Sequence, residues 1–416
     1  MKKILLAFFV FAILAAALIP QINTVYAKAA ETISITAPAK TDENSHPARN
    51  AGTPREGNNE RLKLESKSAA LIDYNTGTVL YSYNENEKLQ IASMCKIMTL
   101  ILTFEDIEAG NLKLDEEIQV SANAAGMGGS QAFLESGGMY KVSELIKAIT
   151  IASANDCCVA IGERVAGSEE LFVDKMNAKA KELNMNNTVF TNTTGLPKPG
   201  QYSTSLDVAL MMRELLKFEK YYNFSRIWLD KMIHSGGRET VLTNTNKMIR
   251  SYSGCDGGKT GFTSESGFCI AATAKRGAMR LISVVIKSPS SDVRFKEAST
   301  LLDMGFAAYT NKMIVEGGKK FDLKVKVKGG RQEDITVAAE KDFYMLSLRN
   351  KKENITVNFE PYSKIAAPVK IKDKVGKLMI YKDNVLCGQA DVISLENCAK
   401  ETYFDVIKKI GRNWGL

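Results

Sequence analysis

Residues 91–99 read IASMCKIMT and mark the junction between two different sequence patterns. Strand-like alternation precedes them, and a helical pattern follows in which apolar side chains recur every three or four residues. Ser93 and Lys96 stand three residues apart at this junction, so a helix would place both side chains on one face. Two interpretations are open. Ser93 is either a helix N-cap followed by an ordinary surface lysine, or a nucleophile with Lys96 as its base.

The sequence on either side of the junction predicts an antiparallel sheet flanked by helices. Two apolar runs surround Asn75-Thr76-Gly77 and predict a hairpin. Two further β-rich runs flank Arg276-Gly277-Ala278, where a second hairpin is expected. Because the strands come from both ends of the segment, residues 63–310 are expected to form one α/β core. Helices are expected from Ser93 to about 109, near 143–165, 168–183 and 205–218, and over about 292–309.

Two later motifs change the interpretation of the junction. Ser153-Ala154-Asn155 is expected at the start of a helix, and Lys259-Thr260-Gly261 on the strand that GGKTGFT begins. Each tripeptide alone is a weak signal. The order Ser-x-x-Lys, Ser-x-Asn, Lys-Thr-Gly, with each motif on the expected kind of element, is specific.

The first motif supplies a nucleophile and a base. A serine hydroxyl attacks only when a base takes its proton, and on a helix Lys96 reaches Ser93. A lysine acts as a base only when burial and a neighbouring cation lower its pKa. Lys259 is the expected cation, and it also attracts a substrate carboxylate.

The other motifs supply the remaining groups that the chemistry needs. Ser153 is expected to relay a proton to the leaving amine, and Asn155 to hold the substrate amide by hydrogen bonding. An oxyanion needs preorganised donors. The backbone N–H groups of Ser93, at a helix start, and Phe262, at a strand edge, are the expected donors.

The histidine and cysteine content argues against competing kinds of site. There are two histidines, His46 and His234, and a Ser-His-Asp triad would have to rest on His234, which has no nucleophile motif nearby. His234 is therefore expected to be a satisfied polar or surface residue. The seven cysteines include the adjacent Cys157-Cys158, which suit buried free thiols. No Cys or His cluster has zinc spacing, so no metal and no other cofactor is expected.

The N-terminus is expected to lie outside the globular part. Lys2 and Lys3 precede an apolar run and a small-residue site at Ala27, so residues 1–27 read as a secretory signal peptide. An uncleaved membrane anchor is the alternative, although the run of about 16 residues is short for a span. Residues 28–62 have almost no large apolar side chains and are expected to form a flexible tether.

The C-terminal part is basic and β-rich. Residues 311–400 hold 18 Lys or Arg against 12 Asp or Glu and alternate with period two, which predicts a small all-β domain. With an export signal in front, a membrane or a cell-wall polymer is the expected anionic partner, and nucleic acid is not expected.

Residues 401–416 predict a terminal amphipathic helix. Tyr403, Ile407, Ile410 and Trp414 follow each other at spacings of four, three and four, and basic side chains occupy the other side. This pattern favours a helix that anchors the chain at a membrane interface. A helix packed on the β domain is the alternative.

Together these motifs resemble those of serine-type D-alanyl-D-alanine carboxypeptidases, the low-molecular-weight penicillin-binding proteins. The resemblance covers residues 63 to 416 and implies a β-lactamase/transpeptidase-like fold for the α/β core. It implies removal of the terminal D-alanine from peptidoglycan pentapeptide stems through an acyl-enzyme on Ser93, with penicillin and other β-lactam antibiotics as covalent inhibitors. In the family an arginine on the closing helix helps hold the terminal carboxylate, and Arg294 is the match. The implied location is the outer face of the cytoplasmic membrane in a bacterial cell envelope.

Departures from the family pattern leave alternatives open. Cys95 stands where Thr is common and is expected to fill space. The segment before Asn184 lacks the glutamate that class A β-lactamases use for deacylation, which counts against a β-lactam-hydrolysing enzyme of the same fold. A catalytically silent cell-wall-binding protein is a further alternative. Vegetative wall maturation and spore-cortex modification both remain open.

Overall fold

The computed structural model describes residues 62–413, with side chains up to residue 410. The predicted signal peptide, the predicted tether up to residue 61 and Trp414 lie outside the described residues. The strands are β1 Ser68–Asp73, β2 Val79–Tyr83, β3 Glu117–Gln119, β4 Met139–Lys141, β5 Leu229–Ile233, β6 Glu239–Thr243, β7 Cys255–Thr263, β8 Gly267–Arg276, β9 Met279–Ser288, β10 Tyr309–Val315, β11 Lys320–Lys326, β12 Asp334–Ala339, β13 Phe343–Leu348, β14 Ile355–Pro361, β15 Lys374–Lys382 and β16 Val385–Ser394.

The α-helices are mostly in the first two thirds of the chain. They are α1 Lys96–Glu108, α2 Ala122–Ala125, α3 Val142–Ile151, α4 Asn155–Ala166, α5 Glu169–Glu182, α6 Ser205–Leu215, α7 Tyr222–Ser225, α8 Met248–Ser251, α9 Ser291–Ala308 and α10 Tyr403–Asn413. Short 3₁₀ turns cover Ala92–Cys95, Glu219–Tyr221 and Ser235–Gly237.

A five-stranded antiparallel sheet in the order β2-β1-β9-β8-β7 organises the first part of the chain. Its strands come from both ends of the segment, and both predicted hairpins are confirmed, β1–β2 and β8–β9. The predicted α/β fold is also confirmed. β7, which carries Lys259, Thr260 and Gly261, is one of the two edge strands and lies against the 3₁₀ turn that contains Ser93.

The helix that carries Lys96 is buried on nearly every side. The sequence predicted one buried face from Ser93 onward, but ten of the 13 residues of α1 are buried. The helix also begins later than predicted, because the Ala92–Cys95 segment forms a 3₁₀ turn before α1 starts. Helices on several sides cover α1, and this central position removes Lys96 from solvent.

The predicted helix at 143–165 is wrong in one respect. The chain forms two helices, α3 and α4, which are interrupted at residues 152–154. Ser153 there has a φ of +63°, a left-handed conformation that a helix cannot contain. The periodicity of the apolar residues continues across the break because both helices pack into the same core. The expectation that Ser153-Ala154-Asn155 lies at a helix start is confirmed, because α4 begins at Asn155.

The described chain divides into two compact units. The first holds the residues up to Lys312 together with Met345–Lys351, and the second holds Met313–Tyr344 and the residues from Lys352 onward. The predicted C-terminal all-β region is confirmed: the second unit contains an antiparallel sheet in the order β11-β12-β16-β15-β14 around its own apolar core. It ends in α10. Within residues 62–413, no helix has the length and apolar content that crossing a membrane requires.

Candidate active site

Ser93 and Lys96 form a hydrogen-bonded pair. The Lys96 Nζ lies 2.8 Å from the Ser93 Oγ and donates to the carbonyl oxygen of Thr194 at 2.6 Å. Lys96 is fully buried, and no carboxylate pairs with it among the described residues. The N-cap interpretation is wrong, because Ser93 lies inside the 3₁₀ turn and the residue at the N-cap is Ile91. Lys96 is likewise not a surface lysine.

Two glycines allow the backbone to close around Ser93. A Cβ on Gly195, which has a φ of +83°, would overlap the carbonyl oxygen of Ala92. A Cβ on Gly261 would lie 2.7 Å from the carbonyl oxygen of Ile91 and 3.1 Å from the Ser93 nitrogen. The Lys-Thr-Gly strand therefore approaches the Ser93 amide closely at Gly261, the residue before Phe262, whose backbone N–H is the other predicted oxyanion donor.

The second and third motifs meet through a lysine and a serine. The Lys259 Nζ donates to the Ser153 Oγ at 2.8 Å and to the Thr260 carbonyl oxygen at 3.1 Å. Ser153 and Lys259 are 4% and 2% exposed. Among the described residues no hydrogen bond joins this pair to the Ser93–Lys96 pair, so the site contains two separate serine–lysine pairs.

Asn155 offers an unused acceptor. Its Nδ2 donates to the Gly128 carbonyl oxygen at 2.7 Å, and its backbone N–H donates to the Ser130 carbonyl oxygen at 2.7 Å. The Oδ1 is buried and accepts no hydrogen bond within the described part of the chain. A buried acceptor without a donor costs free energy, and a substrate N–H would satisfy it.

Arg294 joins the site through the third motif. Its Nη1 donates to the carbonyl oxygens of Gly261 at 3.1 Å and Cys269 at 3.3 Å, whereas its buried Nε has no partner among the described residues. The guanidinium lies over the rings of Phe268 and Phe295, 5.4 Å and 4.7 Å from their centroids. Burial lowers the pKa of Arg294 to about 10, so the group stays cationic at neutral pH and is poorly hydrated.

Phe262 and Thr260 complete the strand edge. The Phe262 side chain is 56% exposed and packs on the Phe268 ring at a centroid distance of 4.3 Å. The Thr260 hydroxyl donates to the Thr245 hydroxyl at 2.7 Å. The strand edge that approaches Ser93 therefore carries a buried hydroxyl at Thr260 and an exposed aromatic ring at Phe262.

Both site lysines have lowered pKa values, for partly different reasons. Burial lowers the pKa of Lys96. Burial lowers the pKa of Lys259 well below its usual value, and the nearby charge of Lys96 lowers it further. The expected electrostatic coupling between the two lysines is present, but it lowers the pKa of Lys259. The pKa of Lys96 is lowered mainly by desolvation.

The motifs did not reveal the loop that holds Lys96. Glu169 accepts from the backbone N–H and hydroxyl of Thr193 at 3.1 and 2.9 Å, and Asn192 accepts from the Gly195 N–H at 2.7 Å. These bonds fix the peptide whose Thr194 carbonyl receives Lys96. The Thr-Gly-Leu sequence at 194–196 is a turn signal, but it does not indicate which carbonyl meets the lysine.

Cys95 and His234, the two other residues with reactive side chains that the sequence singles out, have structural partners. Cys95 is fully buried and donates to the Asn192 carbonyl oxygen at 3.3 Å, and burial raises the pKa of its thiol. His234 is 5% exposed and lies 2.7 Å from the Tyr140 hydroxyl and 2.8 Å from the Thr240 hydroxyl. His234 is thus the satisfied polar residue that was predicted. Within the described residues, no group of three His, Cys, Asp or Glu side chains is placed to hold a metal ion.

Comparison with known proteins gives matches along nearly the whole described chain. A family model of D-alanyl-D-alanine carboxypeptidases matches residues 55–290, and a model of the C-terminal domain of penicillin-binding protein 5 matches residues 309–400. The D-alanyl-D-alanine carboxypeptidase DacF of Bacillus subtilis is 38% identical over 85% of this chain and 91% of its own. DacC of Escherichia coli, with the same enzyme name, is 31% identical over 85% of this chain and 88% of its own.

Comparison with solved structures gives the same kind of match as comparison of sequences. The crystal structure of the D-alanyl-D-alanine carboxypeptidase DacD from Francisella tularensis has a TM-score of 0.62 at 26% identity and covers 85% of this chain and 98% of that one. A peptidoglycan synthesis regulatory factor from Streptococcus pneumoniae has a TM-score of 0.67 at 26% identity, over 81% of this chain and all of that one. Fold, motif order and sequence similarity agree, and the chain belongs to the D-alanyl-D-alanine carboxypeptidase family.

Proposed function

We propose that this chain removes the terminal D-alanine from peptidoglycan pentapeptide stems through an acyl-enzyme on Ser93. The observation that carries the proposal is the fully buried Lys96 amine, which lies 2.8 Å from the Ser93 Oγ and pairs with no carboxylate among the described residues. Burying an amine without an ion pair costs free energy, so a buried and unpaired amine beside a serine hydroxyl supports a catalytic role.

Lys96 acts as the general base in the neutral form. One of its N–H bonds is directed to the Thr194 carbonyl oxygen, which leaves the nitrogen lone pair available to the Ser93 hydroxyl proton. The Ser93 Oγ then forms a bond to the carbonyl carbon between the last two D-alanines. The N–H groups of Ser93 and Phe262 stabilise the oxyanion of the tetrahedral intermediate.

The second serine–lysine pair serves the leaving group. As the C–N bond breaks, the Ser153 hydroxyl gives its proton to the departing D-alanine nitrogen, and Lys259 stabilises the serine oxygen. Lys259, Thr260 and Arg294 bind the terminal carboxylate, while the free Oδ1 of Asn155 accepts from a substrate amide. The proton that Lys96 took from Ser93 replaces the one that Ser153 gave to the leaving nitrogen, so Lys96 is neutral again and the Ser153 hydroxyl is restored. Water then attacks the acyl-enzyme with Lys96 as the base, and a β-lactam forms the same kind of ester on Ser93.

The site chemistry is tested by locating the acyl group. After incubation with penicillin, the intact protein is expected to gain the mass of one antibiotic, and peptide mapping is expected to place it on Ser93. Ser93→Ala is expected to abolish the adduct, and Cys95→Ser is expected to keep it because the thiol is not the acceptor. An adduct that persists in Ser93→Ala contradicts the proposal.

Turnover distinguishes the two enzymatic alternatives. Purified protein is expected to convert pentapeptide stems to tetrapeptides with release of free D-alanine, and to hydrolyse penicillin slowly. Rapid penicillin turnover without D-alanine release would instead indicate a β-lactam-hydrolysing enzyme. Absence of both reactions and of the adduct would indicate a silent wall-binding protein.

The acylation rate is expected to fall as the pH is lowered through the pKa of Lys96. Protonation removes the lone pair that receives the Ser93 proton, and burial lowers this pKa below the usual value of a lysine. Acylation should therefore remain active at pH values where an exposed lysine, with a pKa of about 10.4, is almost fully protonated. Stopped-flow measurement with a chromogenic β-lactam gives the profile. A midpoint at the ordinary lysine pKa would contradict the role of Lys96.

The proposal extends to location: residues 1–27 direct export, and α10 attaches the mature chain to the outer face of the cytoplasmic membrane. The support comes from the orientation of α10. Asp405 and Lys409 face the second unit and pair with its ionic side chains, at 3.0 Å to Arg331 and 3.6 Å to Glu333. The apolar side chains instead face solvent, namely Tyr403, Phe404, Val406, Ile407 and Ile410.

This orientation is the reverse of a helix packed on a soluble domain, which buries its apolar stripe. An interfacial helix buries the same stripe in lipid. Deletion of residues 401–416 is expected to move the protein from the membrane fraction to the soluble fraction. Equal membrane association of the truncated and full chains would contradict the anchor.

A further inference from the structure

Five exposed lysines surround the place from which α10 leaves the second unit. They are called the basic collar here and comprise Lys328, Lys364, Lys370, Lys372 and Lys400. Each lies in a connecting segment: after β11, between β14 and β15, or after β16. We propose that the basic collar binds the anionic headgroups of a lipid bilayer, and so confines the anchoring helix to negatively charged membranes. The proposal rests on the anchoring role of α10.

The strand register places the collar at one end of the sheet. Lys326 pairs with Asp334, Pro361 with Gly376, and Lys374 with Ile393. The connections that follow or precede these residues therefore emerge together. Backbone bridges connect them further, between Lys328 and Ala366, Val369 and Cys398, and Gly330 and Lys400.

The same connections hold the segment that leads into α10. The Glu401 N–H donates to the Gly329 carbonyl oxygen at 2.9 Å, and the Arg331 N–H donates to the Ala399 carbonyl oxygen at 2.9 Å. The collar is thus built around residues 397–401, directly before the helix begins. A membrane that binds the apolar face of α10 would therefore contact the end of the second unit that carries the collar.

The collar lysines form no ion pair within the described part of the chain. None of the five lysines has a carboxylate partner within 4 Å among the described residues. The acidic groups nearby are already engaged: Glu333 and Glu401 pair with Lys409, and Asp405 with Arg331. Asp373 accepts from the Lys370 N–H, and Glu396 accepts from the Thr336 N–H.

An apolar side chain at the tip of the collar favours lipid over a soluble polyanion. Ile371 stands between Lys370 and Lys372 and is 51% exposed, although its backbone N–H is fixed by the Asn397 side chain at 3.0 Å. A lysine–isoleucine–lysine tip beside an exposed apolar helix matches a surface with anionic headgroups above an acyl core. A wall polymer offers the charge but no place for the apolar groups.

The experiment compares two triple variants of the mature full-length chain. The collar variant carries Lys328→Gln, Lys370→Gln and Lys400→Gln. The control variant carries Lys320→Gln, Lys341→Gln and Lys352→Gln, which remove the same charge from exposed lysines beside β11, β12 and β14 at the opposite end of the sheet. Binding is measured by co-sedimentation with vesicles of phosphatidylcholine, with and without phosphatidylglycerol.

The loss of binding is expected only for vesicles that contain the anionic lipid, and only when the collar lysines are substituted. Each lysine near an anionic surface contributes about 1 kcal/mol, so the collar variant should lose roughly 100-fold in affinity for phosphatidylglycerol vesicles. The control variant should bind them within roughly threefold of the unaltered chain, because its lysines lie away from the surface. Binding to pure phosphatidylcholine, and penicillin acylation, should be unchanged in both variants.

Other results overturn the collar or the anchor separately. Equal losses in the two triple variants would show that net charge alone matters and would overturn the collar. Retained vesicle binding with lost binding to soluble teichoic acid would assign the collar to a wall polymer instead. If a chain without residues 401–416 bound the vesicles as well as the full chain, the anchoring role of α10 would fail, whatever the collar does.

Discussion

The buried Lys96 amine is expected to lower the stability of the fold, because it lacks an ion-pair partner among the described residues. It is fully buried, and its polar contacts are the Ser93 hydroxyl and the Thr194 carbonyl. Lys147 is also mostly buried, at 8% exposure, but it forms ion pairs with Glu144 at 2.7 Å and Asp230 at 3.1 Å. Two buried lysines of the same unit are therefore satisfied to very different degrees.

Lys96→Met is expected to raise the free energy of unfolding by about 1 kcal/mol while abolishing acylation. The methionine fills nearly the same volume and removes an amine that burial drives toward the neutral form. Lys147→Met is the matched control and should lower the free energy of unfolding, because it removes the ammonium that pairs with Glu144 and Asp230. Urea unfolding and the penicillin adduct are the measurements. Equal destabilisation by both substitutions would contradict the argument.

Gly195→Ala is expected to cost about 3 kcal/mol of stability and to abolish acylation. The added Cβ would overlap the Ala92 carbonyl oxygen next to Ser93, at a φ of +83°. Gly200→Ala, at a φ of +82°, tests the backbone strain alone, because its Cβ would lie 4.0 Å from the nearest atom, the Thr191 methyl carbon.

The control substitution should cost only about 1 kcal/mol and leave acylation intact. Thermal unfolding and the rate of penicillin acylation separate the two cases. Similar rates in both variants would show that the close approach at Gly195 does not position Ser93.

At the scale of elements, α4 holds the loop that faces it. The Asp156 carboxylate, in the first turn of α4, accepts from the N–H groups of Ala132 and Leu134, both at 3.0 Å. The preceding residue, Asn155, binds the Gly128 and Ser130 carbonyls of the same loop. One helix start therefore fixes both Asn155, the proposed acceptor of a substrate amide, and the loop beside it.

Asp156→Ala is expected to destabilise the fold by about 2 kcal/mol, because it leaves buried N–H groups without acceptors. Hydrogen exchange of residues 132 and 134 should accelerate, and kcat/KM for D-alanine release should fall through a higher KM. Asp156→Asn keeps one acceptor oxygen, so its stability, exchange rates and KM should lie between those of the unaltered chain and those of Asp156→Ala. Unchanged exchange in Asp156→Ala would show that the carboxylate does not hold the loop.

Secondary-structure elements were predictable where the sequence pattern depends directly on the backbone conformation. Two apolar runs around Asn75-Thr76-Gly77 predicted the β1–β2 hairpin, because a turn signal between two strand-like runs indicates directly where the chain reverses. The break between α3 and α4 was not predictable from periodicity, because apolar spacing continues through it. Only the backbone shows that Ser153 has a positive φ.

Candidate site residues were predictable where the proposed chemistry belongs to side chains. Ser93, Lys96, Ser153 and Lys259 were identified from their residue types and chain order, and the structure pairs them by hydrogen bonds. The partner of Lys96 was not identified, because a backbone carbonyl such as that of Thr194 has no sequence signature. Burial of α1 on nearly all sides was also missed, since it depends on helices distant in sequence.

At the scale of the whole molecule, the two compact units are not consecutive in sequence. Residues Met345–Lys351 belong to the first unit, although they are flanked on both sides by chain of the second. Within this segment Arg349 caps the end of α9. Its backbone N–H and Nη2 donate to the carbonyl oxygens of Ala308 and Phe306, both at 2.9 Å.

Arg349→Ala is expected to destabilise the first unit by about 1 to 2 kcal/mol, because it leaves the Phe306 carbonyl at the end of α9 without the guanidinium donor. The backbone bond to the Ala308 carbonyl remains in the variant. Calorimetry of the full chain is the measurement, and penicillin identifies the relevant transition, since the acylated unit is expected to melt higher. Arg331→Ala is the matched control, because Arg331 pairs with Asp405 in the second unit. It should leave the penicillin-sensitive transition in place. If Arg331→Ala lowered that transition as much as Arg349→Ala, the assignment of residues 345–351 to the first unit would be wrong.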